Sequence, residues 1–156
     1  MTTRTMTPTC IAEIMTHNPI CVTPTMTVRE LAALLDADEI SGVPVVDAQN
    51  RIVGVVSKTD LLHYCLDASL RSDRSFFETL TDGLDPDELS EIDVEALGVI
   101  EQFMSTEPVT VSQEDSIFSV ARRMTGTGVH RVIVTDEFGR VEGIVSALDV
   151  LRAFPA

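Results

Sequence analysis

Apolar residues recur along this chain in two rhythms, and the rhythms follow one another in the same order twice. Val28, Leu31, Ala32 and Leu35 fall at i, i+3, i+4 and i+7, as do Ile117, Val120, Ala121 and Met124, so each set predicts an amphipathic helix. Thr27 and Glu30 have capping-box spacing for the first helix; Ser116 can cap the second, but Ser119 cannot complete a box. The runs Val43–Val46 with Ile52–Val56, and Val132–Val134 with Val141–Val145, predict strand pairs across the hairpin-like turns DAQNR and DEFGR. Ahead of each helix, a short helical lead-in (Ile11–Thr16; Ile100–Ser105) reaches a proline and then an extended stretch, Ile20–Val22 or Val109–Val111. A last helix begins at Ser57 or Ser146. The order predicted for each half is strand, helix, strand, strand, helix.

The two halves are one segment written twice. Met15–Leu62 aligns without a gap on Met104–Leu151, 89 positions later, and 13 of the 48 pairs are identical, among them Pro19/Pro108, Asp47/Asp136, Arg51/Arg140, Gly54/Gly143, Ser57/Ser146 and Asp60/Asp149. Halves this small bury too little apolar surface alone, so they are expected to pack about a pseudo-twofold axis and to form ligand sites in the cleft between them. The organisation expected is a tail at 1–10, repeats at 11–66 and 100–156, and an insert at 67–99. From Leu66 to Ile100 there are ten acidic residues and two arginines, so this stretch supplies more than half of the chain's net charge of −14. Asp85-Pro86 reads as a helix N-cap and first turn. Phe76, Phe77, Leu80, Leu84, Leu89, Ile92 and Leu97 argue for an acidic, partly helical insert that packs on this subunit or a partner; a solvated connector is the alternative.

Composition removes several functions. No apolar run approaches the length of a membrane span, and the N-terminus lacks a signal-peptide core. Cys10, Cys21 and Cys65 form no CxxC, which suits free thiols in a cytoplasmic protein. His17, His63 and His130 make no metal signature, and no nucleophile–base pair or catalytic carboxylate pair is visible, so neither a metal site nor an enzyme is expected. The negative charge argues against nucleic acid and anionic membranes as partners.

The chemistry concentrates in Gly54-Val-Val-Ser57-Lys-Thr-Asp60 and Gly143-Ile-Val-Ser146-Ala-Leu-Asp149. Ser-x-x-Asp at the end of a strand is an ordinary helix cap. It also suits a ligand: a helix start and a serine hydroxyl present donors to phosphate, and an ionised carboxylate accepts from two ribose hydroxyls. With the lead-ins ending Met-Thr and Met-Ser and the strand Gly42-Val-Pro-Val-Val-Asp47, these motifs resemble the CBS domain, a β-α-β-β-α unit of α+β class that occurs in tandem. The resemblance covers about two-thirds of the chain. It implies two CBS domains about a pseudo-twofold axis, binding adenosine compounds (AMP, ADP or ATP, and in some members S-adenosylmethionine) in the inter-domain cleft, with no further cofactor. The motif serine would meet phosphate, the aspartate ribose, and apolar residues the base.

Carried over by position, the resemblance implies two unequal sites. The first joins Ser57, Thr59 and Asp60 to Thr110, Val129, His130 and Arg131; the His-Arg pair resembles the phosphate-contacting pair of the AMP-activated protein kinase gamma subunit. The second joins Ser146 and Asp149 to Cys21, Ile40, Ser41 and Gly42. Since Ser41-Gly42 aligns with His130-Arg131, the second site lacks the matching cations. Arg131 can equally form a surface ion pair, His130 can be an ordinary half-buried histidine, and Cys21 reads as pocket lining. The function expected is a regulatory module that senses adenine nucleotide and acts in trans on a protein partner. The alternative is a dimeric scaffold working through the acidic insert. Exposed Leu61, Leu62, Val150 and Leu151 on the last helices suit the homodimer that CBS pairs commonly form.

Overall fold

The computed structural model describes residues 9–38, 40–70 and 98–154. The tail to residue 8 and most of the acidic insert, including the expected cap at Asp85 and the apolar residues from Phe76 to Leu97, lie outside the described residues.

Among the described residues there are six strands and four α-helices: β1 (Thr16–His17), α1 (Val28–Ala37), β2 (Gly42–Val46), β3 (Ile52–Ser57), α2 (Lys58–Leu70), β4 (Thr110–Val111), α3 (Ile117–Thr127), β5 (Arg131–Thr135), β6 (Val141–Ser146) and α4 (Ala147–Arg152). They follow the predicted order except that the strand expected at Ile20–Val22 is reduced to a single parallel bridge from Val22 to Val45, while β1 forms in the lead-in instead. The capping box opens α1, with the Glu30 amide donating to Thr27 Oγ1 and the Thr27 amide to the Glu30 carboxylate, both at 3.1 Å. Ser116 caps α3 from one side only, accepting from the Ser119 amide at 3.1 Å. Both hairpins close on the same device. Asp47 Oδ1 accepts the Gln49 and Arg51 amides, and Asp136 Oδ1 the Phe138 and Arg140 amides, all at 2.9 Å. The Arg51 amide, foremost, holds the Asp47 carboxyl below its ordinary range. At Asp136 partial desolvation pushes upward but is outweighed by donors from Arg140 and Phe138.

The lead-ins depart from the expected helices. Each is a single 3-10 turn, Ile11–Glu13 or Ile100–Gln102, which then runs extended. So short a segment gains too few hydrogen bonds to nucleate an α-helix, and tertiary contacts decide its shape instead. Those contacts cross between the halves. Ile11 and Met15 sit in one apolar cluster with Val111, Ile117, Val120, Met124 and Val132, whereas Ile100 sits among Val22, Leu31, Leu35, Val43, Val45 and Val56. The backbone bonds are paired in the same way: Ile11 and Ala12 donate to Asp115 and Gln113, as Ile100 and Glu101 donate to Met26 and Pro24. Thr16 pairs with Ile144 on β6, and Ser105 bridges to Val55 on β3. Each half therefore completes the other's core. Ile11 and Ile100 are both fully buried, and each such side chain contributes about 1.5–3 kcal/mol.

The axis itself is visible. Arg51 bridges to Arg140, its own equivalent, and the Ile52 and Val141 amides donate across it to Gly139 and Asn50 at 2.9 and 3.0 Å. Val46, Ile133 and Val141 fill the interface, with Cys21, Ile52, Val55 and Ile144 packed around them.

The exchanged lead-ins explain the glycine in each repeated motif. A methyl group at Gly54 would stand 2.7 Å from the Ser105 carbonyl oxygen, and one at Gly143 would stand 2.5 Å from the Met15 sulfur and 3.1 Å from the Thr16 carbonyl oxygen. Gly54→Ala and Gly143→Ala should each destabilise by about 1–3 kcal/mol through overpacking. Gly126→Ala, in the last turn of α3 with nothing within 4 Å, should stabilise by about 0.5–1 kcal/mol. Urea unfolding of the three variants checks this; an unchanged midpoint for Gly143→Ala would contradict the close approach.

Candidate functional site

β3 and β6 each run out at a serine that caps the next helix. The Asp60 amide donates to Ser57 Oγ at 3.1 Å, and the Ser57 amide donates to Asp60 Oδ2 at 2.8 Å. Ser146 and Asp149 repeat both bonds at the same distances. Both motifs are thus complete capping boxes, which is the structural reading of Ser-x-x-Asp. The boxes leave chemistry over. Each serine oxygen is used as an acceptor, so its hydroxyl proton can still be donated, and each carboxylate has a second oxygen. Neither Asp60 Oδ1 nor Asp149 Oδ1 has a hydrogen bond with the described residues.

Register then places the cation. Gly42 lies directly opposite Ser57, and Arg131 directly opposite Ser146. Residues opposite one another in an antiparallel pair project from the same face. The Arg131 guanidinium crosses the axis, donates to Ser41 Oγ, and brings Nη1 to 3.3 Å from where a Cβ on Gly42 would stand. The empty side of Gly42 is thus occupied by a cation from the other half, beside the Ser57 cap. The backbone ties in the rest: the Lys58 amide donates to the Ser41 carbonyl and the Ala147 amide to the His130 carbonyl, both at 2.9 Å.

Arg131 therefore meets Ser41 and Gly42, with Ser57 opposite Gly42, Ser146 opposite Arg131, and His130 adjacent through the backbone. The two expected residue sets interleave here, because positions 41–42 and 130–131 are equivalents that face each other across the axis. The other expected residues are more dispersed. Thr59 is exposed in the first turn of α2. Val129 packs against the core of the second half, and Ile40 against that of the first. Cys21 is half-buried at the interface, where desolvation pushes its thiol pKa up and its sulfur lies 3.4 Å from the Pro19 carbonyl oxygen. Thr110 lines an open groove of about 570 Å³ in which Glu114, Asp115, Asp136, Glu137 and Glu142 outnumber the single cation Arg123, surroundings with an excess of negative charge that disfavour phosphate. No hydrogen bond among the described residues links Thr59 or Asp60 to Thr110, Val129 or His130.

The helix starts differ in a way that motif spacing does not bring forward. α2 begins Lys58-Thr59 and α4 begins Ala147-Leu148. One cap carries a cation and a hydroxyl; the other carries two apolar side chains, with Leu148 53% exposed. The helices also differ in length, 13 residues against 6. The signal was present in the aligned repeats, at the two positions inside the motif that its consensus leaves open. Among the described residues no cluster of His, Cys, Asp and Glu suits a metal ion, and no helix is long and apolar enough to cross a membrane.

The profile of the CBS domain matches this chain twice, over residues 11–67 and 100–156. The chain is 30% identical over 138 residues to the Arabidopsis thaliana protein "CBS domain-containing protein CBSX1, chloroplastic", covering 85% of this chain and 57% of that one. Its fold matches CBSX2, solved in complex with AMP, at a TM-score of 0.71 and 24% identity over 94% of this chain and 96% of that one. The CBS domain pair of MJ0100, solved with 5′-methylthioadenosine and S-adenosyl-L-methionine, matches at a TM-score of 0.69 and 22% identity over 94% and 99%. The chain spans only 36% of the length of another relative, the uncharacterized protein MJ1232 of Methanocaldococcus jannaschii, at 25% identity over 91% of this chain.

The caps make a prediction about the ligand-free protein. Ser57→Ala and Ser146→Ala should each lower stability by about 1 kcal/mol, the usual cost of losing a helix cap. Denaturant titration without ligand separates this from a role in ligand contact alone, which would leave the midpoint where it was.

Proposed function

Because the chain belongs to the CBS domain family and carries the domain twice, we propose that it is a non-catalytic regulatory module that binds adenine nucleotide between its halves. The observation that carries this reading is the Arg131 guanidinium, which crosses from one half to Ser41 and Gly42 of the other, Gly42 being the strand partner of Ser57. On the neighbouring strand end, the Ser57 hydroxyl proton, the exposed Lys58 and the start of a 13-residue helix follow in sequence, and with a cation nearby these are the donors that a phosphate ester requires. The free oxygen of Asp60 suits the ribose. The AMP in the CBSX2 structure and the adenosine compounds in the MJ0100 structure support this class of ligand. Such local donors are needed because a chain of net charge −14 repels a nucleotide until salt screens the field, beyond roughly 8–10 Å.

The clefts differ in charge, so they differ in ligand strength. Lys58 and Thr59 open the helix on the Ser57 side and Ala147 and Leu148 the helix on the Ser146 side, while Arg131, opposite Ser146 in register, reaches Ser41 and Gly42 between the two caps. Phosphate is therefore held chiefly by the first cleft, and the second gives a weaker event. The output acts in trans on a separate protein. A second reading, a dimeric scaffold whose clefts serve only structure, is favoured by one observation: both motif aspartates are already engaged as caps.

Thermal unfolding distinguishes the two. A ligand that binds only the folded state at about a hundred times its Kd adds roughly 2.7 kcal/mol, so AMP, ADP or ATP should raise Tm more than inorganic phosphate does. No shift with any adenosine compound at millimolar concentration would leave the scaffold reading. In calorimetric titration Arg131→Ala should weaken AMP by about 10- to 150-fold, the cost of a lost charge-assisted contact, while adenosine changes little. Asp60→Ala should weaken every adenosine ligand, and Asp149→Ala only the second event; equal losses from the two would show equivalent clefts.

We further propose a homodimer. Of the four residues expected to be exposed, Val150 is buried in the second half's core and Leu61 packs against that of the first, because one face of each last helix closes its own half. Leu62 and Leu151, with Leu148 and Phe154, are 53–67% exposed on and just after those helices, an apolar surface that a second copy would cover. Light scattering at tens of micromolar should give twice the chain mass; a monomer would refute it.

A further inference from the structure

The axis has a second pole, where the tips of the two hairpins meet. Arg51 and Arg140 are direct partners there in an antiparallel bridge, so their side chains leave the backbone side by side on one face. Like charges so placed repel, and the pseudo-twofold axis imposes the placement. Each guanidinium is anchored at one corner only: Arg51 Nε to Asp47 Oδ2 at 3.1 Å and Arg140 Nε to Asp136 Oδ2 at 2.8 Å. Beyond that anchor, Arg51 makes one long contact, Nη2 to Gln49 Oε1 at 3.4 Å. The terminal nitrogens of Arg140 have no hydrogen bond among the described residues, and its guanidinium lies 5.1 Å from the centre of the Phe138 ring. Between them lies a shallow, solvent-open surface cavity of about 350 Å³ lined by Gln49, Arg51, Phe138 and Arg140.

We propose that this cavity is an anion site, distinct from the adenosine clefts, for a compact dianion held between the two guanidinium forks. The aspartates occupy only the Nε corners, fixing the direction of each fork and leaving the terminal Nη pair, the pair that can grip an oxyanion end-on with two bonds. Gln49 adds an amide donor, and Phe138 walls one side with an apolar face. The pseudo-symmetry of the site matches an anion with two equivalent ends, either the opposed oxygen edges of a phosphate or the termini of a short dicarboxylate. Bound there, the anion offsets the repulsion and ties the hairpin tips of the two halves across the axis, where the backbone already exchanges two hydrogen bonds.

The test is thermal unfolding and calorimetry with inorganic phosphate in one arm and succinate in the other, each against chloride at matched ionic strength. Wild-type protein should gain Tm at millimolar anion. Arg51→Gln and Arg140→Gln, both at exposed positions, should each weaken that binding about tenfold or more, while Arg131→Ala keeps it. The arm that gives the larger shift identifies the dianion. The proposal is overturned if neither anion raises Tm, if both glutamine variants bind as wild type does, or if Arg131→Ala abolishes the effect, which would place the anion at the cleft pole.

Discussion

Everything else in this structure depends on the crossing of the lead-ins. Ile11 closes the core of the second half and Ile100 that of the first, so neither half has a complete apolar interior by itself. The crossing fixes the relative position of the halves as firmly as it fixes either core. Met15 and Met104 then lie flat on Gly143 and Gly54, one strand turn from the capping serines. The glycine and the serine of each motif are thus linked through different physics. The glycine admits the neighbouring half, and the serine starts the helix that the neighbouring half's cation approaches. A side chain at either glycine would disturb the cleft by way of the core.

The second pole of the axis obeys the same rule with opposite consequences. Exact equivalents must meet wherever the axis crosses the chain, and at positions 51 and 140 both are arginines. At positions 41–42 and 130–131 the equivalents have diverged to Ser-Gly and His-Arg. Divergence there removes a clash of cations, because Gly42 leaves room for a guanidinium that a second arginine would repel. The asymmetry of the clefts is thus also what allows Arg131 to reach across the axis.

Much of this was legible in the sequence, and the reasons are physical. The helices and hairpins were readable because their apolar periods are local and their caps and turns use side chains that act within four residues, such as Thr27 with Glu30 and Asp47 with Arg51. The lead-ins were not, because a three-residue turn has no period, and the partners of Ile11 lie a whole repeat away in sequence. Their expected helices are single 3-10 turns for the same reason. Alignment exposed Arg131 against Gly42, but not where the guanidinium ends; a side chain that long can serve either cleft, and only the folded chain shows it on Ser41 and Gly42, across the axis from its own strand. Thr110 is legible as an equivalent of Cys21, yet its acidic surroundings come from three separated segments, 114–115, 136–137 and 142, that no single motif contains.

The capping boxes bear on how a ligand would be held. If binding required Asp60 to leave its cap, ribose recognition would cost about 1 kcal/mol of helix stability at each occupied cleft. The geometry does not impose that cost. The cap uses Oδ2 of the carboxylate and an acceptor position on the serine, so the remaining oxygen and the hydroxyl proton are available with the box intact. The cap instead preorganises both groups, removing rotamer freedom before any ligand arrives. Since the two boxes are the same within the structure, preorganisation cannot distinguish the clefts. What distinguishes them is the helix start that follows each cap, Lys58-Thr59 at one and Ala147-Leu148 at the other.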